Sequence, residues 1–563
     1  QNNSNTINNI RLWNQGPLKD TFSQLQEIRL YYEFSNIDVD RYTINGNLEQ
    51  VMLSPREMDI SKFTSLAQTW INQHLVYTHG YGVVMSPVSR VTSEGLPHFY
   101  IKDFPPNSSI DLKITQPEVY YGEKIKDYLI VNTDESEFDY PKGEDNMYTH
   151  YAGAGGIQLD SLFKKFVYAL KFSELKILIS PQIKKKSRIL YDHDIRNIVS
   201  TIAPFLVFDQ DPYLVISPEG RMVWMLDAYT LSGNFPYSQP YRRGVNYIRN
   251  SVKATIDAYS GETQFYIVDP KDPLIQTYSK IYGHLFKPFD QMPAGLQAHI
   301  RYPKDLFHVQ ANLYSTYHMT NPQVFYNKED LWNIPSEIYG ESEQRMNAYY
   351  MVTKLPDDEA DSFILMLPFT PTNKNNMIGW MGAKCDLNEY GKLTVFKFPK
   401  DRTIYGPMQI ESRIDQDTDI SQKLTLWGQM GSRVIRGNLM VVPIEQSLIY
   451  VEPIYLQATS SKLPELKRVI FAYNNQIEMK ENLYTAISSV FDGAQFESSE
   501  DDTNKLSSSS KPTGSLKAIV HTLRQHFNAF KQAAKSNDWA LFGKKLGQVD
   551  DSIKKLIRVT ESN

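Results

Sequence analysis

Val39-Asp-Arg-Tyr-Thr-Ile-Asn-Gly-Asn-Leu-Glu-Gln-Val-Met-Leu53 is two strand-forming runs hinged on Asn45-Gly46. A two-residue type I′ turn needs positive φ at both central positions, and Asn followed by Gly is the pair that tolerates it best. Three further units read the same way. Tyr213 to Leu226 turns at Ser217-Pro-Glu-Gly220, and Leu439 to Leu456 turns at Glu445-Gln-Ser447. Val252 to Ile267 sets Val252, Ala254, Ile256 and Ala258 against Lys253, Thr255 and Asp257 before turning at Ser260-Gly261. Hairpins, not βαβ crossovers, therefore join the strands, and the sheets they predict are antiparallel.

Helical patterns lie between them. Phe22, Leu25 and Ile28 keep helical spacing ahead of a strand-like Leu30 to Phe34. Leu159, Leu162, Phe163, Phe166 and Leu170 share one face, and further helices are predicted at Ile195 to Ile202 and Pro303 to Met319. The fold class is α+β: antiparallel sheets from several hairpins with interspersed helices. At 563 residues the chain exceeds the roughly 250–300 at which one core stops growing. Two or three packed subdomains are expected, subdividing residues 10–496 near 141 and 305. Residues 1–9 form a polar, flexible segment, and residues 497–514, rich in serine and acid, read as a flexible linker. Residues 515–563 then carry two amphipathic stripes that predict a helical hairpin.

Composition narrows the function classes. Apolar residues at 41%, charged residues at 22% and a formal charge of −5 are ordinary for a globular protein and give no basic face of the density nucleic acid requires. No window approaches 18 consecutive apolar residues, so none reads as a membrane-spanning helix. The single cysteine, Cys385, excludes an internal disulfide or a cysteine-based zinc site and reads as a small buried hydrophobe. The 36 tyrosines suit strands and half-wet binding surfaces, because the ring buries while the hydroxyl finds a partner; packed strand positions are the plainer explanation.

Long irregular stretches carry a family resemblance. Leu75-Val-Tyr-Thr-His79-Gly-Tyr-Gly-Val-Val-Met-Ser-Pro87, Ala203-Pro-Phe-Leu-Val-Phe-Asp-Gln-Asp-Pro-Tyr213, Arg413-Ile-Asp-Gln-Asp417 and Gly431-Ser-Arg-Val-Ile-Arg-Gly-Asn438 resemble the UPF0182 family of bacterial and archaeal multi-pass membrane proteins. The resemblance runs from about Asn9 to Phe491. It implies a region on the extracytoplasmic side of a cell membrane, with residues 1–9 juxtamembrane and the parent's own membrane-spanning part as a partner. It implies no reaction. The start at Gln1 without Met fits an ectodomain cut from a membrane-anchored parent.

Candidate sites follow from local chemistry. His79 and His318 stand in distinctive segments, where an imidazole titrating near neutrality would serve as a general base; a hydrogen-bonded structural histidine is the alternative. Gly153, Gly155 and Gly156 precede a predicted helix and would offer N–H groups to an anion, although no Gly-Lys-Ser/Thr accompanies them. No organic cofactor signature is present. Asp415, Asp417 and Asp419 begin like a calcium loop, but Ile420 and Leu426 stand where an EF-hand needs Gly and Glu. A divalent cation held with Asp209 or Asp211 is the surviving version, against helix capping and surface salt links.

Two surfaces complete the inventory. Lys164, Lys165, Lys171, Lys176, Lys184, Lys185, Lys186 and Arg188 accompany the apolar face of Leu162, Phe166 and Leu170. That pattern suits an anionic membrane surface, while a core helix with a solvated lysine face is the leading expectation. In the C-terminal hairpin Leu523, Phe527, Phe530, Trp539, Phe542, Leu546, Val549 and Ile553 form stripes that two helices cannot enclose. They must dock on the main body, on another copy as a homo-oligomer, or on a protein partner. Without a complete catalytic constellation, the chain reads as a binding or assembly module of the cell envelope. An envelope hydrolase of glycan, lipid or peptide, and an accessory domain to membrane transport, are the alternatives.

Overall fold

Asn45 and Gly46 take φ of 52° and 83°, closing the Asp38–Ile44 and Asn47–Pro55 strands into a tight hairpin whose last pair is Ile44 with Asn47. Nothing lies within 4 Å of a Cβ built on Gly46, so backbone conformation alone requires glycine there. This computed structural model describes residues 3–491, apart from 125–126, 242–243, 356–357, 400, 430 and 446. Chain contacts separate two compact units, Gln1–Gly493 and Ala494–Asn563. The predicted C-terminal hairpin, with Leu523, Phe527, Phe530, Trp539, Phe542, Leu546, Val549 and Ile553, lies outside the described residues.

Four larger sheets organise the first unit. The opening hairpin continues through Val83–Pro87, Ile101–Lys102 and Asn107–Ser108. The second sheet has six strands built on Met222–Ser232 and Tyr247–Asp257, with Tyr213–Ile216 and Thr263–Ile267 paired to them as the turn residues predict. Phe286–Pro288 adds a parallel edge. A third sheet centres on Ser362–Pro371 and Gly379–Lys384, and a fourth on Ser447–Ala458 and Pro464–Tyr473, with Met440–Ile444 completing the predicted hairpin. The architecture is α+β, as expected.

One core joins the first two sheets: Val51, Leu53, Val83 and Met85 pack in the same cluster as Leu214, Trp224, Val252 and Ile256. The alternation in residues 252–258 does not separate a wet face from a dry one. Lys253, Thr255 and Val252 are all buried. Tyrosines also run inward. Tyr42, Tyr120, Tyr229, Tyr349, Tyr350 and Tyr455 are buried, and their hydroxyls pin one segment to another. Their abundance therefore reflects hydrogen-bonded interior anchors more than a wet aromatic surface. The longest such pin is Tyr455, whose hydroxyl donates to the Leu12 carbonyl at 2.7 Å and accepts from the Asn14 N–H at 2.9 Å.

Three local expectations change. A short helix, Ser4–Asn8, precedes the one predicted around Phe22; the latter spans Gln15–Gln26, and Ile28 lies beyond it, exposed and at φ 60°. The strand after it shrinks to Tyr32–Glu33. The Gly153–Gly156 stretch leads into the Ile157–Gln158 strand, so the helix that starts at Leu162 does not follow it directly. The helices at Ile195–Ile202 and Lys304–Tyr317 stand where periodicity puts them.

Candidate functional site

The Leu162–Lys171 helix begins at Ser161, whose hydroxyl accepts from the Lys164 N–H at 3.3 Å, and is followed by the short Lys176–Ile179 helix. Leu162 and Phe163 are each 74% exposed and Leu170 64%, with Phe166, Val167, Leu175 and Ile179 exposed beside them. Ala169 is the buried residue of the first helix. An amphipathic helix of a globular protein ordinarily turns its apolar stripe to the core. Here it is turned out, which overturns the expected core helix with a lysine-only outer face. Periodicity names a stripe but not the side that covers it.

The anchoring comes from the opposite side. Ala169, Ile177, Ile183 and Ile189 pack with Leu75 and Leu159, backed by Trp70, Tyr168 and Phe172. The Lys165 ammonium donates to the Ile183 carbonyl at 2.6 Å, and its burial beside Lys184 lowers its pKa. Lys171 lies 3.7 Å from the centre of the Tyr191 ring. Lys164 pairs with Asp160 at 2.9 Å and Lys184 with Asp134 at 2.8 Å, while Lys185 and Lys186 are exposed and make no ion pair among the described residues.

The second feature is an interior of paired charges where the first three sheets meet. Arg301 donates to the Val39 carbonyl at 2.6 Å, approaches Asp211 at 3.4 Å and stacks 3.8 Å over Tyr213. Lys304 reaches Asp211 at 3.0 Å, Lys253 pairs with Asp227, and His299 Nδ1 lies 2.7 Å from Asp40. Asp38 accepts the Leu214 N–H at 2.9 Å, and the Tyr229 hydroxyl donates to Asp209. Burial, then the Asp227 charge, pushes Asp209 up to about 7, whereas Lys304 and Arg301 outweigh burial and hold Asp211 down to about 2. Burial raises Asp38 well above the carboxylate range. These groups clamp the sheets together; Asp38, Asp227, Lys253 and Arg301 are all buried.

A comparable cluster surrounds Arg436, which binds Glu411, Glu452 at 2.7 Å and Asp415 at 2.6 Å. Burial and the Glu452 charge raise Glu411 above the usual carboxylate range, against the Arg436 charge that lowers it. Its outer member, Asp415, borders a cleft of about 590 Å³ lined by Thr418, Ser421 and Gln422. Asp417 caps the next helix through the Ile420 N–H at 3.0 Å, and Asp419 lies in that helix's first turn. Among the described residues no group of three or more His, Cys, Asp or Glu is placed to hold a metal ion. The three aspartates are thus divided between an arginine clamp and helix capping.

The two histidine candidates are interior fittings, and the glycine stretch is half-exposed. His79 is fully buried, with Nδ1 3.0 Å from the Thr78 hydroxyl and Nε2 3.5 Å from Asp139. Thr78 and Tyr120 both donate to Glu137 at 2.8 Å. His318 ends its helix, with Nδ1 3.0 Å from the Tyr314 carbonyl and its ring stacked 3.9 Å from Trp332; burial lowers its pKa. At the glycines, carbonyls and not N–H groups converge: Arg188 donates to Ala154, Gly155 and Gly156 at 2.5–2.9 Å, and the Gly155 N–H is taken by Tyr151. That arrangement holds a cation. No single segment announces the Asp38, Asp40, Lys253 and Arg301 network, but Asp38 and Asp40 do sit two apart on one face of a strand, an internal-polar signal in hindsight.

Comparison with known proteins gives one consistent result. The profile of the Uncharacterised protein family (UPF0182) matches residues 1–427. A UPF0182 protein of Sulfurovum sp. is 50% identical over 568 residues, covering 100% of this chain and 61% of the relative. Those of Pelotomaculum thermopropionicum and Methanospirillum hungatei are 50% and 51% identical over 98% and 88% of this chain, and 60% and 56% of their own lengths. The chain thus spans about 60% of the length of these curated relatives. No solved structure matches.

Proposed function

The chain belongs to the UPF0182 family, and on that premise we propose that it is a binding module of the cell envelope, on the extracytoplasmic side of the membrane, that docks through the 162–179 helix pair. The outward apolar face of that pair is the observation that carries the reading. Seven large apolar side chains between Leu162 and Ile179 face water without a partner in the chain's described residues. Contiguous apolar patches of this kind mark interaction surfaces. The strongest ionisable candidates, by contrast, are occupied with one another. Asp211, Asp227, Glu411 and Glu452 each hold a lysine or arginine, and His79 and His318 are buried. Among the described residues no helix is long and apolar enough to cross a membrane.

Fluorescence of an environment-sensitive apolar dye tests the reading on the full chain. The unaltered protein should bind dye in its native state. The combined variant Phe163→Ser, Phe166→Ser, Leu170→Ser should lose most of that signal while its circular dichroism and unfolding midpoint stay put. An unfolded variant, or an unchanged dye signal on a folded one, would place the docking surface elsewhere.

A further inference from the structure

Resting on that reading, we infer that the occupant of the 162–179 face is an anionic lipid bilayer surface. At about 100° per residue, Leu162, Phe163, Phe166, Val167 and Leu170 fill an arc of about 140° on the helix. Lys164 and Lys171 stand together just past one border of that arc, Lys164 paired with Asp160 at 2.9 Å and Lys171 lying 3.7 Å from the centre of the Tyr191 ring. Leu175 and Ile179 extend the same kind of apolar exposure into the second helix. A ten-residue helix is about 15 Å long, too short to cross a bilayer and suited to lying in its interface.

Charge selects among occupants. Eight cations and two anions fall between Asp160 and Arg188, in a chain whose overall formal charge is −5. The basic character is therefore concentrated in the segment that carries the apolar face, although Arg188, Lys165 and Lys184 are spent on the Ala154–Gly156 carbonyls, the Ile183 carbonyl and Asp134. Self-pairing through this face would be isologous and would bring two identical basic patches together. Lys184 already pairs with Asp134, but a neutral apolar partner would leave Lys185 and Lys186 without a counter-charge among the described residues. An anionic bilayer meets both halves of the pattern, with apolar side chains entering the headgroup boundary and lysines meeting lipid phosphates. The lysines are not equivalent. Lys165 is committed to the Ile183 carbonyl, whereas Lys185 and Lys186 are exposed without an ion pair among the described residues.

Co-sedimentation of the full chain with vesicles tests the inference, using phosphatidylcholine alone and phosphatidylcholine mixed with phosphatidylglycerol. Binding should require the anionic lipid and weaken as salt shortens the electrostatic range. Phe163→Ser, Phe166→Ser, Leu170→Ser should abolish it. Lys184→Gln, Lys185→Gln, Lys186→Gln, at exposed positions outside the helix, should lower affinity by up to about fivefold per lysine that reaches the surface. Native dye binding without any vesicle binding would overturn the bilayer as occupant and leave the docking surface standing; absence of dye binding would remove both. Equal binding to neutral vesicles would overturn the anionic requirement. An oligomer in light scattering that the apolar-face variant dissolves would make a second copy the occupant.

Discussion

The charged interior around Arg301 and the helix pair at 162–179 invert the usual placement of polarity in opposite senses. One buries aspartate, lysine and arginine; the other exposes leucine, phenylalanine and isoleucine. The difference separates what holds this protein together from what it offers to others. Buried charges are tolerable because each has a counter-charge or a hydrogen-bond donor, and removing one partner strands the rest. Exposed apolar side chains contribute little to the fold that displays them, so their presence has to be explained by contact.

Stability measurements can break that comparison, and Arg301→Met should give the largest effect. It leaves Asp211 leaning on Lys304 alone and removes the donor to the Val39 carbonyl. A loss of about 3–5 kcal/mol in urea unfolding is expected. A loss under 1 kcal/mol would mean the network is not structural.

The pH dependence comes next. Asp209 keeps its proton up to about 7 in the folded chain, against an ordinary value of 3.8. The folded state therefore binds more protons in that window, and stability should fall as pH rises from about 4 to 7, by on the order of 2–4 kcal/mol from this group. Asp209→Asn should remove that share of the slope. Glu123, pushed to about 7 by burial and the Glu57 charge, would supply a residual slope of the same sign. An unchanged slope in the variant would show that Asp209 titrates normally.

The helix pair sharpens the contrast internally. Ala169→Leu forces bulk into the anchored side and should cost about 1–3 kcal/mol, while Phe166→Ser on the outward side should stay within about 0.5 kcal/mol. Equal costs would show both sides to be packed and would return this helix to the core.

Much of the scaffold was legible because hairpins are local. Asn45-Gly46, Ser217 to Gly220 and Ser260-Gly261 each specify a turn within a few residues, and the structure places strands on both sides of all three. The charged interior was not legible, since its partners are assembled by the fold: Arg301 and Asp211 are 90 residues apart. Lys253 looked like the wet face of an alternating strand, yet that strand is covered on both sides. Nor could spacing say which way Leu162, Phe166 and Leu170 point. Asp415, Asp417 and Asp419 shared a spacing but not a task, because a helix ends between the first and the last of them.

The Tyr455 hydroxyl, held between Leu12 and Asn14, has a consequence for the order of synthesis. The opening segment and the fourth sheet complete each other across 441 residues, so the beginning of this chain leaves the ribosome long before its neighbour exists. At roughly 5–20 residues per second, that interval lasts on the order of half a minute or more. Through it the Asn45-Gly46 hairpin can close on local contacts alone, while the residues around Leu12 wait for the far end of the body. Nascent chains stalled before Tyr455 emerges should therefore stay open to protease near Leu12, and those stalled well after it should not.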